Sequence, residues 1–347
     1  MKKIILFTCL VLIFSGVIKA QDIHFTQYFT SPLTLNPATT GQVPDDIRLA
    51  ANYRTQWSSV SSYPYTTMTV SFDMAMLRNK LPDGDALGIG VMGLSDKAGS
   101  GGLTNTTMGL SLAYHKGFGR EKEQHISFGF QTVLVQKHLD FQKLVFEDMI
   151  DPATGLASKA LTENLKNADL SYPDFNTGIM YYGKVGFHSE LYLGYSYYHL
   201  TEPNQTFLQD KITLIHQRHT GYLGGSIDLN ESTVLYASAL YQTQASATEV
   251  LVGSSVGFIL NPDHDEDYQR NTILFLGAWY RYHDAIAPYV AIEWSRMRIG
   301  LSYDINISNF YTATTGMGSY EISLLYFGKI HKRDKNPTYS WSCPKLW

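Results

Sequence analysis

The chain has almost no cysteine. Only Cys9 and Cys343 occur in 347 residues, and Cys9 lies inside an apolar N-terminal run. If this run is removed as a signal peptide, a single thiol remains, which excludes an intramolecular disulfide framework. No set of cysteines and histidines has the spacing of a zinc site. The sequence therefore predicts no metal site. Cys343 is either a free thiol, which we favour, or an intermolecular partner.

Charged residues are also scarce, at 17% of the chain, against about 25% in an average protein. The formal net charge is −4, and three of the lysines in this count (Lys2, Lys3 and Lys19) lie at the N-terminus. The remainder of the chain is therefore more acidic than the whole. Nucleic-acid-binding proteins present a basic face, so the charge balance predicts no nucleic-acid partner.

Long apolar runs are missing after residue 20. The run at 4–18 follows two lysines and is succeeded by a small residue, Ala20, which is the pattern of a secretory signal peptide. The run is too short and wrongly flanked for a transmembrane helix. We predict a cleaved signal peptide at residues 1–20, and hence an exported chain that begins at Gln21.

Tyrosine, phenylalanine and glycine are abundant, with 24, 17 and 28 residues. An exported chain of this composition without transmembrane helices is either a secreted all-β protein or an outer-membrane β-barrel. Between residues 47 and 57, two sets of side chains alternate, and in a strand they lie on opposite faces. One set is mainly apolar. The polar residues of the other set, predicted to face a barrel lumen, are Arg48, Asn52, Arg54 and Gln56.

Similar segments of about ten residues, the length that a tilted membrane strand needs, recur along the chain. Fourteen are found, an even number as in single-chain bacterial barrels. They lie near 47–57, 64–74, 85–95, 103–115, 124–136, 174–183, 187–198, 213–228, 232–244, 247–260, 272–283, 285–294, 296–306 and 317–329. We therefore predict an all-β fold, a transmembrane outer-membrane β-barrel of about 14 antiparallel strands. The predicted division is a signal peptide (1–20), an N-terminal non-strand segment (21–45), the barrel (46–330) and a C-terminal tail (331–347).

Two further patterns predict local structure. Aromatic clusters at 180–183, 192–200 and 278–283 fall near strand ends, where we expect the aromatic girdles of a membrane barrel. In the longest connection, residues 157–170 space alanine and leucine at helical intervals. This spacing predicts a short amphipathic helix.

Two motifs are similar to ligand sites but lack the required context. Residues 88–93 read GIGVMG, yet no acidic residue follows at the distance that a nucleotide site needs. We interpret these glycines as small residues that ease a curved strand. The acidic run at 263–267 lacks the spacing of a calcium loop and is interpreted as a solvated loop. The sequence predicts no catalytic constellation and no cofactor.

The stretch at 27–41 reads QYFTSPLTLNPATTG. Its two prolines fix the backbone and remove donors, so neither a helix nor a central strand is expected to run through it. Its apolar side chains still need a place to pack. We predict that they lie against the periplasmic mouth or inside the barrel, with a turn at Asn36 and Pro37, rather than in a disordered spacer. The candidate plug or partner-contact residues are Tyr28, Phe29, Leu33, Leu35, Asn36 and Pro37.

The chain beyond the signal peptide opens with a Gln-Asp pair at 21–22, F-T-Q-Y at 25–28 and L-N-P-A-T-T-G at 35–41. Further blocks lie at 52–57, 195–207, 276–294, 300–308, 320–329 and 342–347. Together they resemble the PorP/SprF family of type IX secretion system membrane proteins of Bacteroidetes, over essentially the whole exported chain. His24 departs from the proline often found near the start of that family.

The resemblance implies an outer-membrane barrel that helps to secrete a cargo protein or to hold it at the cell surface. The implied partners are a cargo with a C-terminal sorting domain (an adhesin or effector), other type IX secretion components and membrane lipid. Some members are tied to gliding motility, and the family is not known for catalysis. Two alternatives stay open. The polar face at 48–56 suits a channel or small-solute transporter, and an outer-membrane enzyme has the weakest support.

Overall fold

A computed structural model describes residues 22–330, except 79, 101, 120–121, 141–142, 146–148, 152–153, 155–168, 187, 208–211, 261–271 and 310. In this part of the chain, fourteen antiparallel strands form a closed barrel. Each strand pairs with its neighbours in sequence, and β1 pairs with β14 to close the wall. The barrel fold and strand number predicted from the alternation are confirmed.

The strands follow the predicted segments closely. They are β1 (Ile47–Gln56), β2 (Tyr65–Met76), β3 (Ala86–Ala98), β4 (Leu103–Phe118), β5 (Gln124–His138), β6 (Asp169–Lys184), β7 (Ser189–Tyr198), β8 (Arg218–Asn230), β9 (Thr233–Gln244), β10 (Ala247–Ile259), β11 (Ile273–Arg281), β12 (Ala285–Trp294), β13 (Met297–Asn306) and β14 (Met317–Gly328).

Two strands begin away from their predicted positions. β6 begins at Asp169 rather than at 174. Its pairing with β7 starts only at Thr177, so Pro173 lies on a strand edge, where a missing N–H is tolerated. β8 begins at Arg218 rather than at 213, because the residues just before it bond to the loop at 203–205 instead of to the wall.

The outer and inner faces of the wall differ as a membrane barrel requires. On β4, Met108, Leu110 and Leu112 point outward and are 62%, 60% and 56% exposed. Ser111 and Ala113 point into the lumen and are buried. Successive side chains on a strand point to opposite faces, and lipid accepts only the apolar set. On a strand such as β4, the alternation of apolar and polar residues therefore indicates which face each side chain occupies.

The barrel has two unlike ends. We call the end where β1 begins and β14 ends the near end, and the opposite end the far end. The near end carries the short connections 184–189, 230–233 and 294–297 and the longer ones 76–86 and 259–273. The longest connection between strands, 138–169, is at the far end.

The aromatic clusters do not all form girdles, which corrects that expectation. Tyr181 and Tyr195 point outward, but Tyr182, Tyr192 and Trp279 are buried in the lumen. Adjacent residues on a strand point opposite ways, so a pair of neighbouring tyrosines sends one ring to each face. The inward rings build a cluster that fills the lumen beside β6–β12.

Helical structure in the described residues is limited to single turns. They include two 3₁₀ turns (Tyr28–Thr30 and Pro37–Thr39) and two α-helical turns (Pro32–Leu35 and Tyr311–Thr314). No helix in the described part of the chain has the length and apolar character needed to cross a membrane.

Several predicted features lie outside the described residues. These are the signal peptide at 1–20, the tail at 331–347 with Cys343, and the acidic run at 263–267. The predicted helix at 157–170 also lies outside them, apart from its last two residues, which belong to β6. The predicted division of the chain into these parts stays a prediction.

Introducing a charged side chain at the middle of the outer face of the wall tests whether this face lies in the membrane. Leu110→Arg is expected to lower the free energy of unfolding in lipid vesicles by about 2–4 kcal/mol, because the charge enters hydrocarbon. The matched change Val185→Arg lies in a near-end connection and should cost about 0–1 kcal/mol. Denaturant titration measures both values, and equal costs would contradict the assignment.

Candidate functional site

Residues 22–46, which we call the luminal segment, run through the barrel from the far end to the near end. The Asp22 N–H donates to Gln244 Oε1 at 2.7 Å, at the far end of β9. At the other extreme, Arg78 Nη2 donates to Val43 O at 3.1 Å, just beyond the near end of β2. The segment then enters the wall as β1. The lumen is therefore occupied by the chain that directly precedes the barrel.

The prolines start helical turns in this segment rather than only interrupting structure. Pro32 and Pro37 each stand at the first position of a turn, where the absent N–H needs no partner and the fixed φ suits a helix. The Asn36 side chain caps the second turn by accepting the Ala38 N–H at 2.8 Å. As expected, no continuous helix or strand crosses the stretch. The compact turns let its side chains reach the wall on several sides.

The predicted apolar residues of the segment are all buried. Tyr28, Phe29, Leu33 and Leu35 are at most 5% exposed. The Phe29 ring lies 5.0 Å from the Trp279 ring, measured between centroids, and 5.6 Å from the Tyr289 ring. Burying such rings and leucines is the main apolar gain available to the segment.

Asn36 and Pro37 lie against the opposite strands of the wall. Asn36 Nδ2 donates to Ile179 O at 3.1 Å and to Tyr222 Oη at 3.0 Å. An added Cβ at Gly178 would lie 1.9 Å from Asn36 Oδ1. At Gly129 it would lie 2.2 Å from the Pro37 carbonyl carbon. No side chain fits between the segment and the wall at these two positions.

A third contact of this kind explains the GIGVMG motif. An added Cβ at Gly88 would lie 1.8 Å from Thr40 O, and Gly41 itself adopts φ +73°. Gly88 therefore admits the backbone of the segment, which refines the interpretation that it only eases strand curvature. Gly88, Gly129 and Gly178, on β3, β5 and β6, form what we call the glycine track.

The predicted polar face of β1 also meets the luminal segment. Arg48 Nη2 donates to Asp73 Oδ2 at 2.8 Å and to Thr39 O at 3.0 Å, and the side chains of this ion pair are fully buried. Asn52 Nδ2 donates to Thr30 Oγ1 at 2.5 Å. These inward side chains are bonded to the segment.

Arg54 continues this row toward the far end. Its Nη1 donates to His24 O at 2.5 Å, and its Nη2 lies 3.2 Å from Asp304 Oδ2. Gln56, the last member of the predicted set, is only partly buried. The segment thus contacts β1 along most of its length.

A cluster of buried charges holds the first residues of the segment. Glu321 accepts the N–H groups of Thr26 and Gln27 at 2.7 and 2.9 Å. Arg281 Nε donates to Glu249 Oε1 at 2.9 Å, and Arg281 Nη1 contacts Asp304 at 2.9 Å. Buried charges are stable only when paired and hydrogen-bonded. Backbone groups of the segment supply part of that bonding.

At the far end, His199 bridges two carboxylates. Its Nδ1 and Nε2 each lie 2.5 Å from a carboxylate oxygen, of Asp174 and Asp22 respectively. Burial alone would lower the pKa of His199, but the two carboxylates raise it to about 9. Burial alone would raise the pKa of Asp22, but His199 and Arg218 hold it well below its usual range. We call this set the far-end latch.

Sequence reasoning missed Asp73, Glu321 and His199. The two acids occupy inward positions of alternating strands, which is the only signal that could have selected them. His199 follows a strand and carries φ +60°, which no local motif predicts. Within the described residues, no group of three or more metal-ligating side chains is placed to hold an ion.

Gly129→Ala tests the glycine track. The added methyl group meets the backbone at Pro37 and Ala38, so we expect a loss of about 1–3 kcal/mol in unfolding free energy through overpacking. Residues 25–41 should become sensitive to protease. The matched control is Gly93→Ala on β3, where an added Cβ meets nothing within 4 Å. Equal behaviour of the two variants would contradict tight contact.

The far-end latch predicts a pH dependence. His199 has a pKa of about 9 in the folded protein against 6.5 for an ordinary histidine, so its stabilisation is complete below pH 6.5 and lost as the pH rises through about 9. Proteolysis near residue 22 should therefore speed up over this range. A His199→Gln variant, which does not titrate, should show a flat profile. The same profile in both proteins would rule out the latch.

Two solved structures are similar to this chain. The TodX monoaromatic hydrocarbon channel (deltaS2 mutant) is similar at TM-score 0.51 and 11% identity, with 87% of this chain and 94% of that chain covered. The Ralstonia pickettii toluene transporter TbuX has a TM-score of 0.45 and 11% identity, with 86% and 94% covered. At such identity the likeness concerns the barrel fold alone. A comparison with curated proteins gives no match.

The family comparison covers most of the chain. The family model described as type IX secretion system membrane protein PorP/SprF matches residues 17–326 of this chain. This span includes the luminal segment and nearly all of the barrel. A closed antiparallel barrel in a family of membrane proteins is an outer-membrane barrel, so the predicted location in the outer membrane is supported. The chain belongs to the PorP/SprF family of type IX secretion system membrane proteins.

Proposed function

We propose that this protein is a closed outer-membrane component of the type IX secretion system that assists secretion or surface attachment of a cargo protein with a C-terminal sorting domain. We further propose that the luminal segment is a plug that stays in place while the protein works. The observation that carries this proposal is the fixed path of the segment, bonded to the wall from Asp22 to Val43.

A plug of this kind separates the cargo from the lumen. The glycine track leaves no room for a side chain between segment and wall, so an exported chain would have to displace the segment completely. Displacement would also leave the Arg54, Arg281 and Glu321 charges without the bonds that the segment supplies, which is costly in a buried site. The cargo therefore contacts the outer loops or the outside of the wall.

The family implies partnership with other type IX secretion components. The cargo is proposed to be an adhesin or effector, and a link to gliding motility would follow from an adhesin cargo. We also propose that the protein is not an enzyme. The buried charged side chains of the lumen bond to one another and to the segment, as at Arg48 and Asp73, so their chemistry is structural.

A channel or small-solute transporter is the second candidate. The observation that favours it is the row of polar inward residues on β1, which would suit a water-filled lumen. Arg48, Asn52 and Arg54 are instead bonded to the segment. Purified protein in a planar bilayer should therefore stay closed at rest, and steady conductance would favour the channel.

Deletion of the gene in the host bacterium tests the proposed role. A reporter fused to the sorting domain of the cargo should fail to reach the surface, and plasmid-borne wild-type protein should restore display. A Gly93→Ala protein should restore it equally, because that position is open. Normal surface display of the candidate cargo in the deletion strain would contradict the proposed role in the export of that cargo.

A further inference from the structure

A groove of about 540 Å³ lies on the outside of the wall across β6–β10. Its walls are outward side chains, namely Ile179, Leu193, Tyr195, Leu223, Tyr241 and Val250. None of the described residues that line it is charged. The groove is thus an apolar recess in the surface that meets lipid.

The recess exists because two small residues stand among large outward side chains. Gly221 lies between Tyr195 and Tyr241 in one row across the strands. Ala239 lies beside Leu223 in the next row. An added Cβ at Gly221 would meet no heavy atom within 4 Å, so neither wall nor lumen requires glycine there.

The groove is continuous with the membrane-facing surface of the barrel. Leu193 and Leu223 are exposed, as are the apolar residues along the neighbouring strands. An apolar recess left empty in hydrocarbon loses dispersion contacts with its surroundings. Water has no polar partners in such a recess. A hydrocarbon chain from the bilayer is the occupant that avoids both costs.

A polar pair marks one end of the groove. Tyr195 Oη and His219 Nδ1 are 2.7 Å apart, and the His219 ring stacks on Tyr197 with centroids 4.8 Å apart. If Tyr195 donates, a neutral His219 keeps an N–H at Nε2; if His219 donates, Tyr195 keeps its own hydrogen. In both cases the pair retains one hydrogen-bond donor, on the far-end side of Gly221.

We propose that this groove is a binding site for one acyl chain of an outer-membrane lipid, whose ester or phosphate oxygen accepts a hydrogen bond from the Tyr195–His219 pair. The apolar recess takes the chain, and the donor sets which end of the lipid lies toward the far end. The site is independent of the cargo role and requires only that the wall faces lipid.

Photocrosslinking tests the site on the full-length protein. The protein is placed in nanodiscs of phosphatidylethanolamine doped with the same lipid carrying a diazirine on one acyl chain. After irradiation, mass spectrometry should find adducts concentrated on Tyr195, Leu223 and Tyr241. Gly221→Leu fills the recess and should lower this labelling by about tenfold, because several methylene contacts are lost. Gly93→Leu, an outward glycine on β3 with open space, should leave it unchanged.

A second variant tests the polar end. The double change Tyr195→Phe/His219→Phe keeps both rings and removes the donors, so groove labelling should fall while labelling elsewhere on the wall stays constant. Uniform labelling around the barrel, or groove labelling that survives Gly221→Leu, would overturn the proposal. If labelling is uniform and only the Gly221→Leu protein loses co-purifying secretion components, the groove is a protein contact and the proposal is overturned.

Discussion

The close approach of the L-N-P-A-T-T-G backbone to the wall is the constraint on which the rest of this structure depends. At the glycine track, an added Cβ would lie 1.8–2.2 Å from the nearest atom of the segment. Native interiors are packed to the density of organic crystals, so such contacts leave little freedom to slide or tilt. They fix the height and direction of the segment. The ring contacts of Phe29 and the hydrogen bonds that Asn36 donates to the wall follow from that placement.

Buried charge makes the same arrangement costly to undo. The lumen holds several arginines and carboxylates with side chains at most 8% exposed, among them Arg48, Asp73, Arg281 and Glu249. A barrel that conducts would solvate such groups with water. Here backbone groups of residues 24–42 take that role, as in the bonds to Arg48 and Glu321. The segment and the wall are therefore one hydrogen-bonded unit, and residues 22–46 occupy the lumen.

The barrel was predictable because lipid imposes one rule on every strand. Where polar and apolar residues alternate, as at Leu110 and Ser111, the alternation indicates which face each side chain occupies, and the number of such segments gives the strand number. The sequence blocks at 25–28 and 35–41 indicated the PorP/SprF family, and the family comparison confirms it. The burial of Phe29 and Leu33 was likewise expected from apolar residues with no sheet to join.

Other features could not be read from the sequence. Glu321 meets Thr26 across nearly 300 residues, and no local pattern reports such a pairing. Adjacent tyrosines gave no sign of which ring points inward, because both faces of this barrel accept aromatics. A glycine that packs against the backbone of another segment and a glycine that eases strand curvature look the same in one sequence. The contact of Gly88 with the luminal segment was therefore not predicted. The path of the segment, with Asp22 at the far end, needed the three-dimensional contacts.

The central claim is that residues 22–46 are a fixed part of the closed barrel. Hydrogen exchange of the full-length protein in lipid nanodiscs tests it most directly. The bonded amides of Thr26, Gln27 and Gly41 should exchange as slowly as strand amides, because opening them requires breaking the packed lumen. Exchange of these amides at the rate of an unstructured peptide, beside protected strands, would contradict the account.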